Sequence, residues 1–381
     1  MRSVSVVGIG QIPIRKSYPD GLVELGARVA RMAMEEAEVE KVDALYAGNM
    51  LADELQNQKH LGAFIADEAG LAGIEAMSAG AASAAGAAAL RMAYLAVASG
   101  EVDLAIAVGV EKMSEGAAAV PALAKALDAK REGALGSNMI TRNAELMRNY
   151  IKRYDVPEDG FVNFAVNAHR NSHDNPNALF RKRVTARRVR NSRIVYPPIR
   201  LFDSAPVCDG AAAVLLAPSQ IAKDFPTPSV RVLASSVATD RFRLEDRANP
   251  LWLQAAEWSA HKAYKAAGLQ SKDVSFFEAH DAFSIMATLQ LEAAGFANPG
   301  EGWRLAEEKK IWRKGSIPIS TMGGLKARGH PIGATGIYQA CEIILQLTER
   351  AGKNQIRRPK IGMMQSVGGV ASTMITHIFA N

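Results

Sequence analysis

The chain has 381 residues, 48% of them hydrophobic, and a formal net charge of +6 at pH 7. This length and composition are typical of a globular protein with two or three domain-sized units, and the longest apolar runs are too short to span a bilayer. The two cysteines, Cys208 and Cys341, exclude a disulfide framework and a cysteine-rich metal site.

Strand and helix patterns alternate along the first part of the chain. A buried strand is predicted at residues 3–8, which leaves no room for a signal peptide, so we expect a cytoplasmic protein without a membrane partner. A helix follows at 22–39, where apolar residues recur at helical spacing. Further strands are predicted at 42–48, 74–79 and 102–110, and further helices at 54–69 and 84–99. This order predicts a mostly parallel sheet that helices cover on both faces.

The pattern changes between residues 111 and about 199, where polar and basic helical segments occur without a convincing strand. We interpret this part as an inserted subdomain. The sheet pattern returns at 209–217, and the segments that follow are 230–235, 252–267, 274–278, 285–294, 338–350 and 360–364. Their order indicates a duplicated α/β half. We place the N-terminal half at 1–222, with a loop domain at about 112–200, and the C-terminal half at 223–381.

Positive charge is concentrated in the inserted subdomain. The residues are Arg181-Lys182-Arg183, Arg187-Arg188-Val189-Arg190, Arg193 and Arg200. Three interpretations stay open, namely a solvated face, a site for a phosphorylated ligand and a nucleic-acid surface. The last is the least favoured, because neither interleaved aromatic residues nor a nucleic-acid-binding module accompanies the cluster.

Residues 80–86 form a turn of small residues that opens a helix and contains Ser83. Such a turn lets backbones approach closely, and the helix dipole favours an anion at its start. A nucleophile there would be activated, although a serine also needs an adjacent general base. An ordinary serine N-cap on a packed helix would occupy the same position.

Two histidines lie in sequence contexts that favour chemistry. His330 stands between Gly329 and Pro331 in a glycine-rich turn, where it could act as a general base, an oxyanion donor or a structural residue. His280 and Asp281 follow a predicted strand at the end where ligands bind in α/β sheets, or else form a solvent-facing turn.

Two further motifs contain paired or closely spaced glycines, and only the first is a candidate for a functional site. Gln365-Ser366-Val367-Gly368-Gly369 ends in a glycine pair whose backbone N–H groups could stabilise an oxyanion. Val7-Gly8-Ile9-Gly10 resembles the start of a dinucleotide-binding fingerprint, but Pro13 stands where the third glycine is needed. We therefore reject this fingerprint, and a nicotinamide-dependent dehydrogenase is the least favoured interpretation of the chain.

In this order, the segments resemble the thiolase superfamily, in particular its archaeal and sterol-carrier-protein-2-type branch. The resemblance covers essentially the whole chain and rests most specifically on His280-Asp281-Ala282-Phe283 and on Gly329-His330-Pro331-Ile332-Gly333-Ala334-Thr335-Gly336. It implies a duplicated five-layer αβαβα fold with an inserted loop domain. It also implies acetyl-CoA C-acetyltransferase-like chemistry, that is, Claisen condensation or thiolytic cleavage of 3-oxoacyl-CoA.

The resemblance also implies roles for individual residues. His330 would activate the nucleophile and polarise the substrate thioester oxygen, His280 would complete that oxyanion hole, and Gly368 would donate in a second one. Ser83 occupies the acyl-accepting position, where the family has a cysteine. Ala282 and Ser366 occupy the two positions at which different branches keep a second cysteine, and neither can replace a thiol as acid–base. Cys208 and Cys341 match no catalytic position.

Ser83 at the acyl-accepting position predicts low thiolase activity. An acyl-serine is an oxygen ester and lies lower in energy than a thioester, so returning the acyl group to CoA is uphill. A barrier raised by about 4 kcal/mol costs roughly a thousandfold in rate. A single Ser83→Cys change would then restore thiolysis. Two alternatives stay open: a non-thiolytic acyl-CoA retro-aldolase, for which Tyr338 is a candidate tyrosine, and a catalytically silent acyl-CoA-binding or scaffold subunit.

The family also suggests ligands and partners. We expect acyl-CoA as a substrate, no permanently bound cofactor and no metal, with Arg187 and Arg188 of the loop domain contacting the CoA phosphates. We expect a homo-oligomer, either a dimer or a dimer of dimers. A small zinc-ribbon and OB-fold protein is an expected partner, and nucleic acid is not.

Overall fold

The computed structural model describes residues 1–115 and 119–381. Residues 116–118 of the predicted loop domain lie outside the described residues. The strands are β1 (Val4–Gln11), β2 (Ala44–Gly48), β3 (Glu75–Ala79), β4 (Ala105–Glu111), β5 (Ile194–Tyr196), β6 (Ile199–Arg200), β7 (Gly210–Pro218), β8 (Val230–Thr239), β9 (Phe276–Glu278), β10 (Ile361–Gly368) and β11 (Thr373–Ala380).

The helices cover the sheet and build most of the inserted part. They are α1 (Leu22–Glu36), α2 (Ala52–Leu55), α3 (Leu61–Glu68), α4 (Ala85–Ser99), α5 (Ala119–Ala124), α6 (Met139–Tyr154), α7 (Val162–Ser172), α8 (Ala186–Arg190), α9 (Gln254–Ala267), α10 (Ser284–Ala293), α11 (Gly302–Glu307) and α12 (Thr335–Leu347). The predicted helix at 54–69 is split into α2 and α3, because Asn57 and His60 between them have φ angles of 51° and 60°.

Nine strands form one mixed sheet in the order β3-β2-β4-β7-β1-β8-β11-β10-β9. Only the pairs β2–β3, β2–β4 and β9–β10 are parallel among the described strands. The prediction of a mostly parallel sheet is therefore wrong. It missed β11, and it did not foresee that β7 runs antiparallel to both of its neighbours. The short hairpin of β5 and β6 in the inserted part was also missed.

The strand order is repeated in the two parts of the chain. The first part has the order β3-β2-β4-β7-β1. The second has β9-β10-β11-β8, and Ile319 adds a parallel bridge to Phe277 on the outer side of β9, in the place that β3 takes beside β2. β1 and β8 pair antiparallel and join the two parts. A duplicated α/β half produces this repetition, while the boundary at 222 and 223 and the bounds of the loop domain stay predictions.

The helices α4 and α12 bring the two glycine-rich turns together at their N-terminal ends. A Cβ atom at Gly86 would lie 2.5 Å from the carbonyl oxygen of Gly333, and one at Gly336 would lie 2.4 Å from the backbone nitrogen of Ala87. Only glycine permits so close an approach of two backbones. Because Ser83 precedes α4 and His330 precedes α12, this helix contact places both residues at one site.

The segment Ala82–Ser99 is long and apolar enough to cross a membrane by length and composition alone. The expectation that the apolar runs are too short considered uninterrupted runs only, and not the mean hydropathy of the whole helix. Half of the segment is buried inside the protein, where α4 packs against β2 and β4. A core helix between two layers of structure meets the same criteria of length and composition.

Candidate active site

A cavity of about 140 Å³, here called the Ser83 cavity, lies at the N-terminal ends of α4 and α12. Ser83, His280 and His330 all line it, so the structure brings together three of the five predicted catalytic residues. Ser366 and Gly368 are not among the lining residues, although their neighbours Val367 and Gly369 are. The rest of the wall is mainly apolar and includes Met113, Leu123, Met139, Ile140, Ala282, Phe283, Met286 and Ile332.

Ser83 stands on a tight turn between β3 and α4. The residue before it, Ala82, has a φ of 48°, a left-handed conformation that costs a non-glycine residue roughly 1–3 kcal/mol. The N-cap of α4 is Ala84, and the cap has no side-chain hydrogen bond, so the serine N-cap interpretation is wrong. The Ser83 hydroxyl has only a weak contact, with Met50 Sδ at 4.0 Å, within the described residues. It is therefore available to a substrate in the cavity.

Hydrogen bonds at two of its atoms hold His330. Its backbone N–H donates to Cys208 Sγ at 3.2 Å, and its Nδ1 lies 2.7 Å from Thr335 Oγ1. The Thr335 hydroxyl also lies 3.4 Å from the Pro331 carbonyl oxygen. When this hydroxyl donates to that carbonyl, its oxygen accepts the Nδ1 proton, and Nε2 keeps its lone pair as a base. Burial and the positive charges of Arg328 and Lys326 lower the pKa of His330 to about 3.

His280 packs against His330 as a second neutral imidazole. The ring centroids are 4.9 Å apart and the planes are nearly perpendicular, at 88°. Gln290 holds the loop, since its Oε1 accepts the His280 backbone N–H and its Nε2 donates to the His280 carbonyl. Burial, followed by the neighbouring His330 and two cations, lowers the pKa of His280 well below its usual range. Both rings are therefore uncharged at neutral pH.

Ser366 does not line the cavity, and its hydroxyl is already engaged in a hydrogen bond. It is completely buried, and its hydroxyl donates to Gln339 Oε1 at 2.8 Å. Gly368 abuts the Ser83 turn instead, since a Cβ atom there would lie 2.6 Å from the Ala81 carbonyl oxygen. Ala282 lines the cavity but offers only a methyl group. Neither Cys208 nor Cys341 is a lining residue, so no thiol reaches the described wall.

Glu111 supports the site, and the prediction of catalytic residues did not include it. Its buried carboxylate accepts backbone N–H bonds from Met50, Leu51 and Gly333, at 2.9–3.2 Å, and a side-chain N–H bond from Asn49. It therefore joins a loop of the first half to the turn after His330. Burial raises the pKa of Glu111 to about 7, although these hydrogen bonds act in the opposite direction. A lone buried glutamate at a strand end gives no sequence signal of this role.

A second cavity of about 680 Å³, here called the basic groove, adjoins the Ser83 cavity. The two share the wall segment Ser204, Ala205 and Pro206. The cations that line the groove are Lys16, Arg181, Lys182, Arg183, Arg188 and Lys326, and its aromatic residues are His169, Phe180 and Phe202. Arg187 is exposed but does not line the groove, so the structure separates the two arginines that the sequence grouped together.

Comparison with known proteins identifies the family. Residues 4–195 match the thiolase N-terminal domain, and residues 236–381 match the C-terminal domain-like part of thiolases. The chain belongs to the thiolase family. This membership confirms the resemblance, the thiolase fold and the prediction of a thiolase-type acyltransferase.

Relatives of known function span this thiolase chain from end to end. It is 39% identical over 382 residues to the acetyl-CoA acetyltransferase of Methanothermobacter thermautotrophicus, with 100% of both chains covered. It is 34% identical to the acetyl-CoA acetyltransferase of Methanocaldococcus jannaschii, again with full coverage of both. Human sterol carrier protein 2 is 27% identical, with 99% of this chain and 72% of that protein covered.

Two solved structures share the thiolase fold at low sequence identity. The Ltp2-ChsH2(DUF35) aldolase superposes with a TM-score of 0.87 at 19% identity, covering 99% of this chain and 97% of the other. Human mitochondrial 3-ketoacyl-CoA thiolase gives a TM-score of 0.77 at 18% identity, covering 100% and 99%.

Tyr338 is not among the residues that line the Ser83 cavity. Its hydroxyl donates to the Ile12 carbonyl at 2.7 Å and accepts the Ala211 backbone N–H at 3.1 Å, and the side chain is completely buried. A tyrosine so held has no contact with a substrate at Ser83. The interpretation of Tyr338 as the catalytic tyrosine of a retro-aldolase is therefore wrong.

Thr335 is expected to orient His330, and a substitution tests this. Thr335→Val keeps the side-chain shape but removes the partner of Nδ1. In a Ser83→Cys background we expect kcat for thiolysis of acetoacetyl-CoA to fall about tenfold to hundredfold, a fraction of what a general base contributes. The matched control is Thr348→Val at the other end of α12, where the hydroxyl also bonds a backbone carbonyl. Equal rates for the two variants would contradict the role of Thr335.

Proposed function

We propose that the chain binds acyl-CoA and catalyses thiolase-type acyl transfer through Ser83, at a rate far below that of a cysteine enzyme. One observation carries the proposal: Ser83, His280 and His330 line a single apolar cavity that adjoins a large basic groove. In this proposal the acyl group occupies the cavity, and the nucleotide part of CoA occupies the groove. The chemistry of the two spaces thus matches the two ends of one substrate.

His330 and His280 have complementary roles in this proposal. Nε2 of His330 takes the proton of the nucleophile, since Nδ1 is engaged by Thr335. The adjacent imidazole of His280 stabilises the thioester oxygen as charge develops on it. A low-dielectric wall strengthens such hydrogen bonds, and preorganised donors avoid reorganisation during the reaction. Backbone N–H groups near Gly368 are proposed for the second oxyanion hole.

The basic groove supports CoA binding by charge and by stacking surfaces. Arg181, Lys182 and Arg183 run along the wall with Arg188, and arginine forms two parallel hydrogen bonds to phosphate. His169 and Phe180 are stacked in the same wall, with ring centroids 5.9 Å apart. Such surfaces favour a phosphorylated nucleotide with a planar base. No permanent cofactor is part of the proposal.

The two adjacent arginines offer a matched test. Arg188→Glu is expected to weaken CoA binding by about tenfold to hundredfold, because a charge-assisted hydrogen bond is worth roughly 1.5–3 kcal/mol. Arg187→Glu changes the net charge equally, but its side chain is outside the groove, so we expect less than about a threefold effect. Isothermal titration calorimetry with CoA at two salt concentrations measures both. Equal weakening would show that only long-range charge matters and would remove the groove as the nucleotide site.

We further propose a homo-oligomer, either a dimer or a dimer of dimers, and a cytoplasmic location. β3 is the end strand of the sheet, and Met77 on it and Phe64 on α3 are each 44% exposed. An unpaired strand edge beside exposed apolar side chains favours pairing with a second copy. Sedimentation equilibrium of the wild type and of Met77→Lys tests this. A Met77→Lys chain with unchanged association would exclude this edge as the interface.

A small partner protein is part of the proposal as well. The Ltp2-ChsH2(DUF35) aldolase is named as an assembly of two proteins, and its thiolase-fold part superposes on this chain. This supports the expectation of a partner protein, which we propose to be a small zinc-ribbon and OB-fold protein. Co-expression with a small zinc-ribbon and OB-fold protein, followed by size-exclusion chromatography, tests the association.

A further inference from the structure

We propose that this chain hydrolyses acyl-CoA thioesters through an acyl-Ser83 intermediate, releasing a carboxylic acid and CoA. The inference rests on the proposed binding of acyl-CoA and goes beyond acyl transfer between CoA molecules. It concerns the acceptor that removes the acyl group from Ser83. Three acceptors are conceivable, namely the CoA thiol, a carbon nucleophile and water.

The first half-reaction loads Ser83. Its hydroxyl oxygen attacks the thioester carbonyl carbon while Nε2 of His330 takes the hydroxyl proton. The carbon–sulfur bond then breaks, the sulfur leaves with that proton as the CoA thiol, and an oxygen ester remains on Ser83. The strained turn at Ala82 presents the hydroxyl to the cavity, and α4 directs its N-terminal end to the same place. The step is downhill, because an oxygen ester is more stable than a thioester.

The cavity wall disfavours the two acceptors that a thiolase uses. Return to the CoA thiol would convert an oxygen ester into a thioester, which is uphill. A carbon nucleophile needs a base that removes the proton from the α-carbon. Ala282 and Ser366 stand at the two positions where the resemblance implies a second cysteine. Ala282 offers only a methyl group there, and the Ser366 hydroxyl is buried and bonded to Gln339. The described wall contains no thiol in their place.

Water is the acceptor that remains, and His330 is placed to activate it. Nε2 takes a proton from water as its oxygen attacks the ester carbonyl, and the bond between that carbon and the serine oxygen breaks. Ser83 recovers the proton, and a carboxylic acid leaves. The sum is acyl-CoA plus water giving carboxylic acid plus CoA. Thr335 holds His330 as the third member of a serine-hydrolase triad holds its histidine, and His330 and Ser83 line the same cavity.

The cavity also limits the acyl group. Its volume of about 140 Å³ is close to that of an engineered apolar cavity of about 150 Å³ that binds benzene. Its apolar lining, including Met139, Phe283 and Met286, favours a hydrocarbon chain without charge. We therefore assign short unbranched or ring-sized acyl groups, with butanoyl-CoA as a suitable probe.

The test is release of CoA from butanoyl-CoA in the absence of any acceptor. Free thiol is measured for the wild type and for Ser83→Ala, with intact-protein mass spectrometry to detect acylation. We expect the steady rate of CoA release by the wild type to be at least about tenfold higher than that of Ser83→Ala. Loss of a catalytic nucleophile can lower a rate by much more than this. In ¹⁸O-labelled water, the acid product should carry one labelled oxygen.

The outcomes separate this inference from the proposed function. Equal release by wild type and Ser83→Ala would overturn it. Acylated Ser83 that accumulates without further CoA release would also overturn it, while leaving the acyl-CoA function intact. If calorimetry shows that neither protein binds butanoyl-CoA, the proposed function itself fails.

Discussion

Ser83→Cys is expected to cleave acetoacetyl-CoA with CoA at least about a thousandfold faster than the wild-type chain, which corresponds to a barrier lowered by about 4 kcal/mol. A thiol is a far stronger acid than a hydroxyl, and the N-terminal end of α4 favours its anion. The acyl-cysteine is a thioester, so returning the acyl group to CoA is close to isoenergetic. His330 already lies in the same cavity to take the proton.

Further substitutions show which position supplies the second acid–base. Ala282 lines the cavity, so adding Ala282→Cys to Ser83→Cys should raise the rate further. Ser366→Cys is the matched control, because that side chain is buried behind the wall and should give little gain. The measurement is CoA-dependent loss of acetoacetyl-CoA, with Ser83→Ala as the inactive reference. If no cysteine variant turns over although all bind CoA, the thiolase mechanism fails and a scaffold function is favoured.

Stability is expected to fall steeply in mild acid, because folding buries neutral histidines. Burial and the nearby Arg91 lower the pKa of His377 to about 3, and that of His330 is lowered to the same value. An unfolded histidine binds its proton near pH 6.5, so below this pH the unfolded state holds more protons than the native state. The free energy of unfolding is therefore highest above pH 6.5, and it decreases as the pH falls toward 3. Each histidine contributes roughly 1.4 kcal/mol per pH unit in that window.

Urea unfolding at pH 7.0, 6.0 and 5.0 measures this effect. His377 stacks beside Phe379 in the core, and neither of its ring nitrogens has a hydrogen-bond partner in the described structure. His377→Leu should therefore reduce the pH slope by one proton. His261→Leu, on the exposed face of α9, is the control and should leave the slope unchanged. A slope that His377→Leu does not alter would place the acid sensitivity elsewhere.

Local patterns were enough to predict much of this thiolase fold. Apolar runs located most of the large strands within a few residues, and the glycine-rich turns before α4 and α12 were predicted from their composition. Two of the errors concern partners that are distant in the chain. β11 pairs with β8 as well as with the adjacent β10, and β7 inserts antiparallel between β4 and β1.

The sequence by itself determined which residue types stand at the site: Ser83 where the family has a cysteine, His280 and His330 in their motifs, and no cysteine at a catalytic position. These are properties of short segments, so they need no knowledge of packing. Only the tertiary structure decided which of these side chains line the Ser83 cavity and the basic groove. On β10, successive residues point to opposite faces, so Val367 lines the cavity while Ser366 is buried behind it. On α8, successive residues point in different directions around the helix, so Arg188 lines the groove and Arg187 does not.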